Sequence, residues 1–310
     1  MILPRRLAGP GTIGIVTPSG HLLDPERLEL AIANLEARGW RVKRGDRLLE
    51  KWKYFNAPDA DRAAQFHAIA TDPEVDVVIP ARGGYGISRL LDRMDWPALA
   101  ATRKYFVGFS DFTAFSLALL AQQRGVTFAG PMARTDFGND SVDPLMEENF
   151  WPLLTQASHA APAIAWAHGY APQEIEGMAW GTNLSLVAHL VGTPWFPDVR
   201  GGILFAEDIG EEPYHIERCF LQLKYAGVLA TQRAIVLATF NGFDPDSDVA
   251  RRHTLDDVIE TLREIAPCPV LAGFPFGHAA PKISIPVGGH ARLAIREGEY
   301  AVTFSGYNAP

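Results

Sequence analysis

Only two cysteines, Cys219 and Cys268, occur in the 310 residues, and neither falls in a CxxC pair or a Cys/His cluster. A disulfide framework is therefore excluded, and a structural zinc site is not expected. Basic residues are also in short supply, with 28 Lys and Arg against 36 Asp and Glu and a net charge of −8. That balance offers no broad surface to a phosphate backbone, so nucleic acid is not expected as a partner. No window approaches the roughly 18 consecutive apolar residues of a membrane helix. The opening MILPRRLAGPGTIGIVTPSG is basic, but prolines and glycines interrupt it before a signal-peptide core can form. The expectation is a soluble, cytoplasmic protein with no membrane partner.

What is present is the material of a core. Hydrophobic residues make up 47% and charged residues 21%, the balance of a globular chain. The length exceeds a typical domain of roughly 100–200 residues, so two domains are expected. In the first half, short apolar runs alternate with amphipathic stretches. Thr12–Pro18, Val75–Pro80, Tyr105–Gly108 and Val126–Phe128 read as strands. Between them, Asp24 and Pro25 open a helix that Gly39 closes, and 60–70 and 112–123 read as further helices. Strands separated by helices in this way imply a parallel sheet covered on both faces.

Residues 156–172 (QASHAAPAIAWAHGYAP) are rich in Ala and Pro and lack periodicity, which reads as a linker between domains spanning 1–155 and 173–310. Beyond it, 202–206, 234–238 and 269–272 read as strands and 213–225 and 255–265 as helices. The tail 282–304 alternates apolar and polar residues with glycines at the bends, as antiparallel hairpins do.

The sharpest local feature is ValGlyPheSerAspPheThr at 107–113, which puts Ser110 between an apolar strand and a helix. A strand-to-helix turn lifts a side chain off the sheet and sets the helix N-terminus beside it. This is the logic of a nucleophile elbow, in which the N–H of the next residue, Asp111, supplies half of an oxyanion hole. Phe112 stands where the elbow pattern has its second glycine, and a plain helix-capping role for Ser110 fits the local pattern equally well.

A second feature, AlaArgGlyGlyTyrGly at 81–86, also follows a strand. Its glycines allow close backbone approach, so N–H groups of Gly83 or Gly84 can face an anion. The dinucleotide and P-loop patterns are both absent, and a tight turn into a short helix explains the same spacing.

A serine nucleophile needs a base and the base an orienting acid. Of the nine histidines, His21, His67, His159, His168, His253 and His290 fall on polar faces or loops. His189 lies in a helical run and is expected to be packed, and His215 follows an acidic stretch. His278 differs, because PheProPheGlyHisAlaAlaPro places it in a Gly/Pro-bounded loop after a buried strand. Glu207 and Asp208, ending the run IleLeuPheAlaGluAsp, are the candidate acids.

Taken together these segments resemble the LD-carboxypeptidase family of serine peptidases. The likeness rests on ThrProSerGly at 17–20, ArgGlyGlyTyrGly at 82–86 with ArgLeuLeuAsp at 89–92, GlyPheSerAsp at 108–111 and GlyPro at 130–131. It continues through GlyThrAsnLeu at 181–184, GlyThrPro at 192–194, GluAspIleGlyGluGluProTyr at 207–214 and GlyHis at 277–278. The resemblance implies an α/β fold. An N-terminal parallel-sheet domain like that of class I glutamine amidotransferases is joined to a smaller mixed C-terminal domain. It makes Ser110 the nucleophile, Glu207 the orienting acid and His278 the base, with the N–H groups of Asp111 and Gly84 as the oxyanion hole. No metal or organic cofactor is implied, and a homodimer is.

The implied substrate is a murein tetrapeptide, L-Ala-γ-D-Glu-meso-diaminopimelate-D-Ala, from which terminal D-Ala is released in cell-wall recycling. Arg82 is the candidate for the substrate's terminal carboxylate, with a surface or interdomain salt bridge as its alternative. Gly83, Tyr85 and Asn183 are expected to line the pocket. Phe109, Thr182 and Thr17 stand where the family commonly has tyrosine, glycine and alanine, which bears on substrate preference. Three other readings remain: a relative of the microcin C self-immunity peptidases that cleave aminoacyl-nucleotide amides, a non-catalytic muropeptide-binding module, and a domain that binds ATP or GTP through the glycine loop.

Overall fold

The computed structural model describes residues 1–166 and 170–310, so the reading of His168 lies outside the described residues. Among those residues no helix is long and apolar enough to cross a membrane.

The N-terminal region runs β1 (Thr12–Val16), α1 (Pro25–Glu36), β2 (Arg41–Arg44), α2 (Asp59–Thr71), β3 (Val77–Pro80), α3 (Trp96–Ala101), β4 (Tyr105–Phe106), α4 (Phe112–Gln123), β5 (Thr127–Ala129) and α5 (Pro144–Thr155). Four of its strands form a parallel sheet in the order β2-β1-β3-β4. Every residue of β1 and β3 is buried, as a sheet covered on both faces requires. Helix α4 explains the tightest part of the packing. All of its residues from Phe112 to Leu120 are buried. A helix apolar on all sides has no face to give to water, and here it is enclosed by the elements around it.

The C-terminal region contains β6 (Ser158–Ala160), β7 (Ile164–Ala165), β8 (Gln173–Asn183), α6 (Leu184–Leu190), β9 (Ile203–Ile209), α7 (Pro213–Tyr225), β10 (Ala234–Asn241), α8 (Leu255–Ile265), β11 (Val270–Leu271), β12 (Ile285–Val287), β13 (His290–Arg296) and β14 (Glu299–Ser305). Its sheet is mixed and runs β11-β10-β9-β8-β13-β14-β6, with β7 also on β14. Strand β8 joins its two halves. Gln173–Met178 pairs antiparallel with β13, and Ala179–Asn183 pairs parallel with β9. The fold class is thus the α/β arrangement expected from the sequence.

Several local expectations differ from the structure. Residues 156–172, read from the sequence as the linker, contribute the short strands β6 and β7, which pair with β14. Their Ala- and Pro-rich composition hides edge strands because an edge needs few buried side chains. Strand β5 does not extend the parallel sheet by a regular ladder. It meets that sheet through a single bridge, Val107 to Phe128, and pairs antiparallel with β12 from the C-terminal region. His189 is exposed on α6 rather than packed. Strands β2 and β8 carry no simple alternation: β2 is four residues of mixed polarity, and β8 changes partners partway along.

Phe115 sits at the centre of an aromatic cluster with Phe66 at 5.0 Å, Phe106 at 5.1 Å and Phe112 at 4.9 Å between ring centroids. Phe115→Ala is expected to lower the unfolding free energy by about 3–5 kcal/mol in chemical denaturation. A loss below about 1 kcal/mol would mean that the cluster collapses to refill the space.

Candidate active site

Strand β4 delivers the chain to Gly108, Phe109 and Ser110. Gly108 is required locally, since a Cβ there would stand 2.9 Å from the Phe112 ring. Ser110 itself has φ 58, a left-handed conformation that side chains seldom adopt. Strain of this kind is kept only where neighbouring structure holds it. The Ser110 hydroxyl makes no hydrogen bond among the described residues, and α4 begins after Asp111 with no side-chain cap. The helix-capping role is therefore not what places the serine. Gly83 lies directly against it, and a Cβ on Gly83 would be 3.0 Å from both Cβ and Oγ of Ser110.

The carboxylate of Asp111 ties the two flanking loops to this elbow. It is buried and accepts bonds from the Ser19 hydroxyl at 2.6 Å and the Ile87 N–H at 2.9 Å. Burial pushes its carboxyl above the ordinary range, and these bonds act against that shift. Below the loops, the fully buried Arg62 donates to the carbonyls of Pro18 and Gly86 and pairs with Asp59. The Phe55 ring lies 4.0 Å from its guanidinium. Gly84 and Gly86 take φ of 114 and 144, which glycine alone adopts without strain. The backbone N–H groups of Gly83, Gly84 and Asp111 have no acceptor among the described residues.

The C-terminal region supplies the second half of the site. Glu207, at the end of β9, is fully buried and accepts a 2.8 Å bond from Nδ1 of His278. Burial pushes the Glu207 carboxyl up, with the histidine bond opposing the shift. Because Nδ1 is engaged, Nε2 is the ring nitrogen left to act. The adjacent Asp208 projects to the other face of the strand. It accepts from Asn183 Nδ2 at 2.9 Å and from the N–H groups of Ser185 at 2.7 Å and Ile209 at 2.9 Å. Strand alternation thus separates two acids that sequence position could not.

The two halves meet around Phe109, whose ring packs edge-on to His278 at 4.9 Å between centroids. Nearby, Thr182 takes φ 118 and its hydroxyl bonds that of Thr113 at 2.7 Å, so a threonine at this glycine-type position gains a contact between the regions. Asn183 is buried. Its amide caps α6 through Leu186 N–H at 3.2 Å and holds Asp208, so its side chain is spent on structure.

Arg82 is half-buried, donates to the His21 carbonyl at 3.1 Å and has no ion-pair partner among the described residues. Tyr85 is exposed beside the glycine loop, 6.3 Å from the exposed Tyr54. Sequence reasoning missed Arg62, Tyr54, Asp136 and Lys282. Arg62 carried one signal: it lies four residues before Phe66, on the face of α2 that is otherwise apolar.

Comparison with known proteins gives a consistent result. The model of the LD-carboxypeptidase N-terminal domain matches residues 13–130, and that of the LD-carboxypeptidase C-terminal domain matches residues 176–293. A probable murein peptide carboxypeptidase of Bacillus subtilis is 35% identical over 95% of this chain and 92% of its own length. The crystal structure of muramoyltetrapeptide carboxypeptidase from Oxalobacter formigenes superposes with a TM-score of 0.89 at 38% identity, covering 96% of this chain and 100% of that one. The microcin C7 self-immunity protein of Escherichia coli is 26% identical over 95% of this chain and 93% of its own.

Asp111→Ala would leave the Ser19 hydroxyl and the Ile87 N–H buried without an acceptor. We expect it to destabilise the protein by about 1–3 kcal/mol per stranded donor. An unchanged denaturation midpoint would show that water replaces the carboxylate.

Proposed function

The chain belongs to the LD-carboxypeptidase family, and from that premise we propose that it removes terminal D-Ala from murein tetrapeptides by way of Ser110, Glu207 and His278. The protein is a serine-type carboxypeptidase, a hydrolase. The observation that carries the assignment of roles is the 2.8 Å bond from His278 to a fully buried Glu207, in ring contact with the residue before Ser110.

In the proposed reaction His278 Nε2 takes the proton from Ser110 Oγ as the oxygen attacks the carbonyl between the L-centre of diaminopimelate and D-Ala. Glu207 fixes the ring tautomer and stabilises the imidazolium. No Ser110–His278 hydrogen bond is present in the structure, and catalytic bonds of this kind commonly tighten only with substrate. The unpaired N–H of Asp111, with that of Gly83 or Gly84, faces the developing oxyanion. His278 returns the proton to the leaving amine of D-Ala. Water then attacks the acyl-enzyme by the same route in reverse, freeing Ser110 and the shortened peptide. Arg82, half-buried beside the glycine loop and in no ion pair within 4 Å among the described residues, binds the terminal carboxylate.

Ser110→Ala is expected to abolish D-Ala release from purified murein tetrapeptide. Glu207→Gln, which keeps the shape but favours the wrong tautomer, is expected to lower kcat by about 10⁴-fold. Equal release by wild type and Ser110→Ala would overturn the assignment. Release by neither would redirect attention to aminoacyl-nucleotide amides.

Arg82→Lys retains charge but loses the planar fork. KM should rise roughly ten-fold, as expected for loss of one charge-assisted bond of about 1.5 kcal/mol, with little change in kcat. A C-terminally amidated substrate should show no such difference between the two proteins. An equal rise for both substrates would remove Arg82 from carboxylate recognition.

A further inference from the structure

The groups assigned to catalysis are divided between two regions of the chain, so something must set the distance from the His278 loop to the Ser110 elbow. Helix α4, β5 and the loops around them form one side of that seam. The His278 loop forms the other. Its neck is closed by a bond from Ile283 N–H to the Pro275 carbonyl at 2.7 Å. Directly beyond it, β12 is stitched to β5 in register, Ile285 opposite Ala129 and Val287 opposite Thr127.

Between His278 and β12 stands Lys282. Its side chain is 4% exposed and forms an ion pair with Asp136, itself 8% exposed. The other Asp136 oxygen accepts the Met132 N–H at 2.8 Å, which anchors the acid to the N-terminal region. The same ammonium lies 4.0 Å from the centroid of the Phe109 ring. That ring meets His278 at 4.9 Å and Phe276 at 5.9 Å between centroids, and Ser110 follows it in the chain.

An ion pair this deep is a poor way to gain stability, because desolvating two charges offsets most of their attraction. Its geometry suits a different task. A lysine over an aromatic face fixes the ring it covers. Here the ring touches the base and adjoins the nucleophile. We propose that Lys282 is a positioning residue: held by Asp136 and packed on Phe109, its ammonium docks the His278 loop against the Ser110 elbow and sets the serine–histidine geometry. This rests on the roles given above to Ser110 and His278. Lys282 forms no hydrogen bond or ion pair with Ser110, Glu207 or His278, and it acts through Phe109. A misplacement of about 1 Å in a catalytic pair is enough to cost roughly 100-fold in rate.

The test uses two readouts, kcat and KM for D-Ala release and the rate at which a fluorophosphonate labels Ser110. The second reports activation of the serine whatever the natural substrate. Lys282→Met keeps an unbranched side chain, one atom shorter, and removes the charge. It should lower kcat and the labelling rate together by about ten-fold or more, with KM within about two-fold of wild type. The double variant Lys282→Met with Asp136→Asn leaves no unpaired buried charge and so separates stability from positioning. It should unfold at a temperature near that of wild type yet remain slow.

Recovery of wild-type rates in the double variant, or wild-type rates in Lys282→Met, would overturn the proposal. Should Lys282→Met fail to fold, Phe109→Leu keeps the ion pair and removes the ring that transmits it. The same loss is then expected, and full activity would overturn the proposal. Wild-type protein that labels at Ser110 but releases no D-Ala would defeat the substrate reading alone, leaving the labelling rates to decide the role of Lys282. Absence of labelling in the wild type would defeat both.

Discussion

Glu207 has no exposed surface, and a carboxylate in that position is costly unless donors satisfy it. His278 supplies that donor across 71 positions of sequence. The need runs in both directions, because the imidazole in turn depends on the acid for its tautomer and orientation. Much of the C-terminal region can be understood as support for this one bond. Strand β9 carries the acid in the middle of a mixed sheet, with β8 and β10 on its two sides. The loop after β11 brings the histidine back over the strand end. Gly277, at φ 140, lets that loop pass close enough that a Cβ would stand 3.3 Å from the acid's Oε2.

The N-terminal region solves a different problem, which is to hold a serine and a set of N–H groups open while everything around them is packed. It does so with buried charge rather than with apolar packing alone. Asp111 and Arg62 sit under the two loops that flank Ser110, each bonded to both of them: Asp111 to Ser19 and Ile87, Arg62 to the carbonyls of Pro18 and Gly86. Such a support is rigid because each stranded partner would be expensive. Rigidity is what the site requires, since N–H groups stabilise an oxyanion only if they are aimed before the charge develops.

The seam between the regions combines both strategies. An antiparallel pair of short strands, β5 and β12, joins them through the backbone. The hydroxyls of Thr113 and Thr182 join them through side chains, and Lys282 with Asp136 joins them through charge. The residues assigned to catalysis come from both sides, so the chemistry depends on contacts that neither region makes by itself.

Local structure was legible where local forces decide it. Helices α4, α7 and α8 span the same residues that read as helices in the sequence. The elbow around Ser110 and the glycine loop could be read because each needs particular residue types within a few positions. The set of motifs pointed to the family, and with it to Ser110, Glu207 and His278. What could not be read are the partnerships between distant parts of the chain. Nothing near Val126 announces β12 as its neighbour, and edge strands within 158–165 have too little buried surface to leave a pattern. Local pattern left Glu207 and Asp208 open and the family resemblance chose Glu207; strand pleating within the finished sheet is the physical reason. Lys282 meets Asp136 across 146 positions. Periodicity and capping are set by neighbours in sequence, whereas these contacts exist only after two sheets have formed and closed on one another. The sequence by itself therefore determined the elements that local periodicity specifies and the chemistry carried on them; the tertiary structure decided the edge strands and which buried charges face each other.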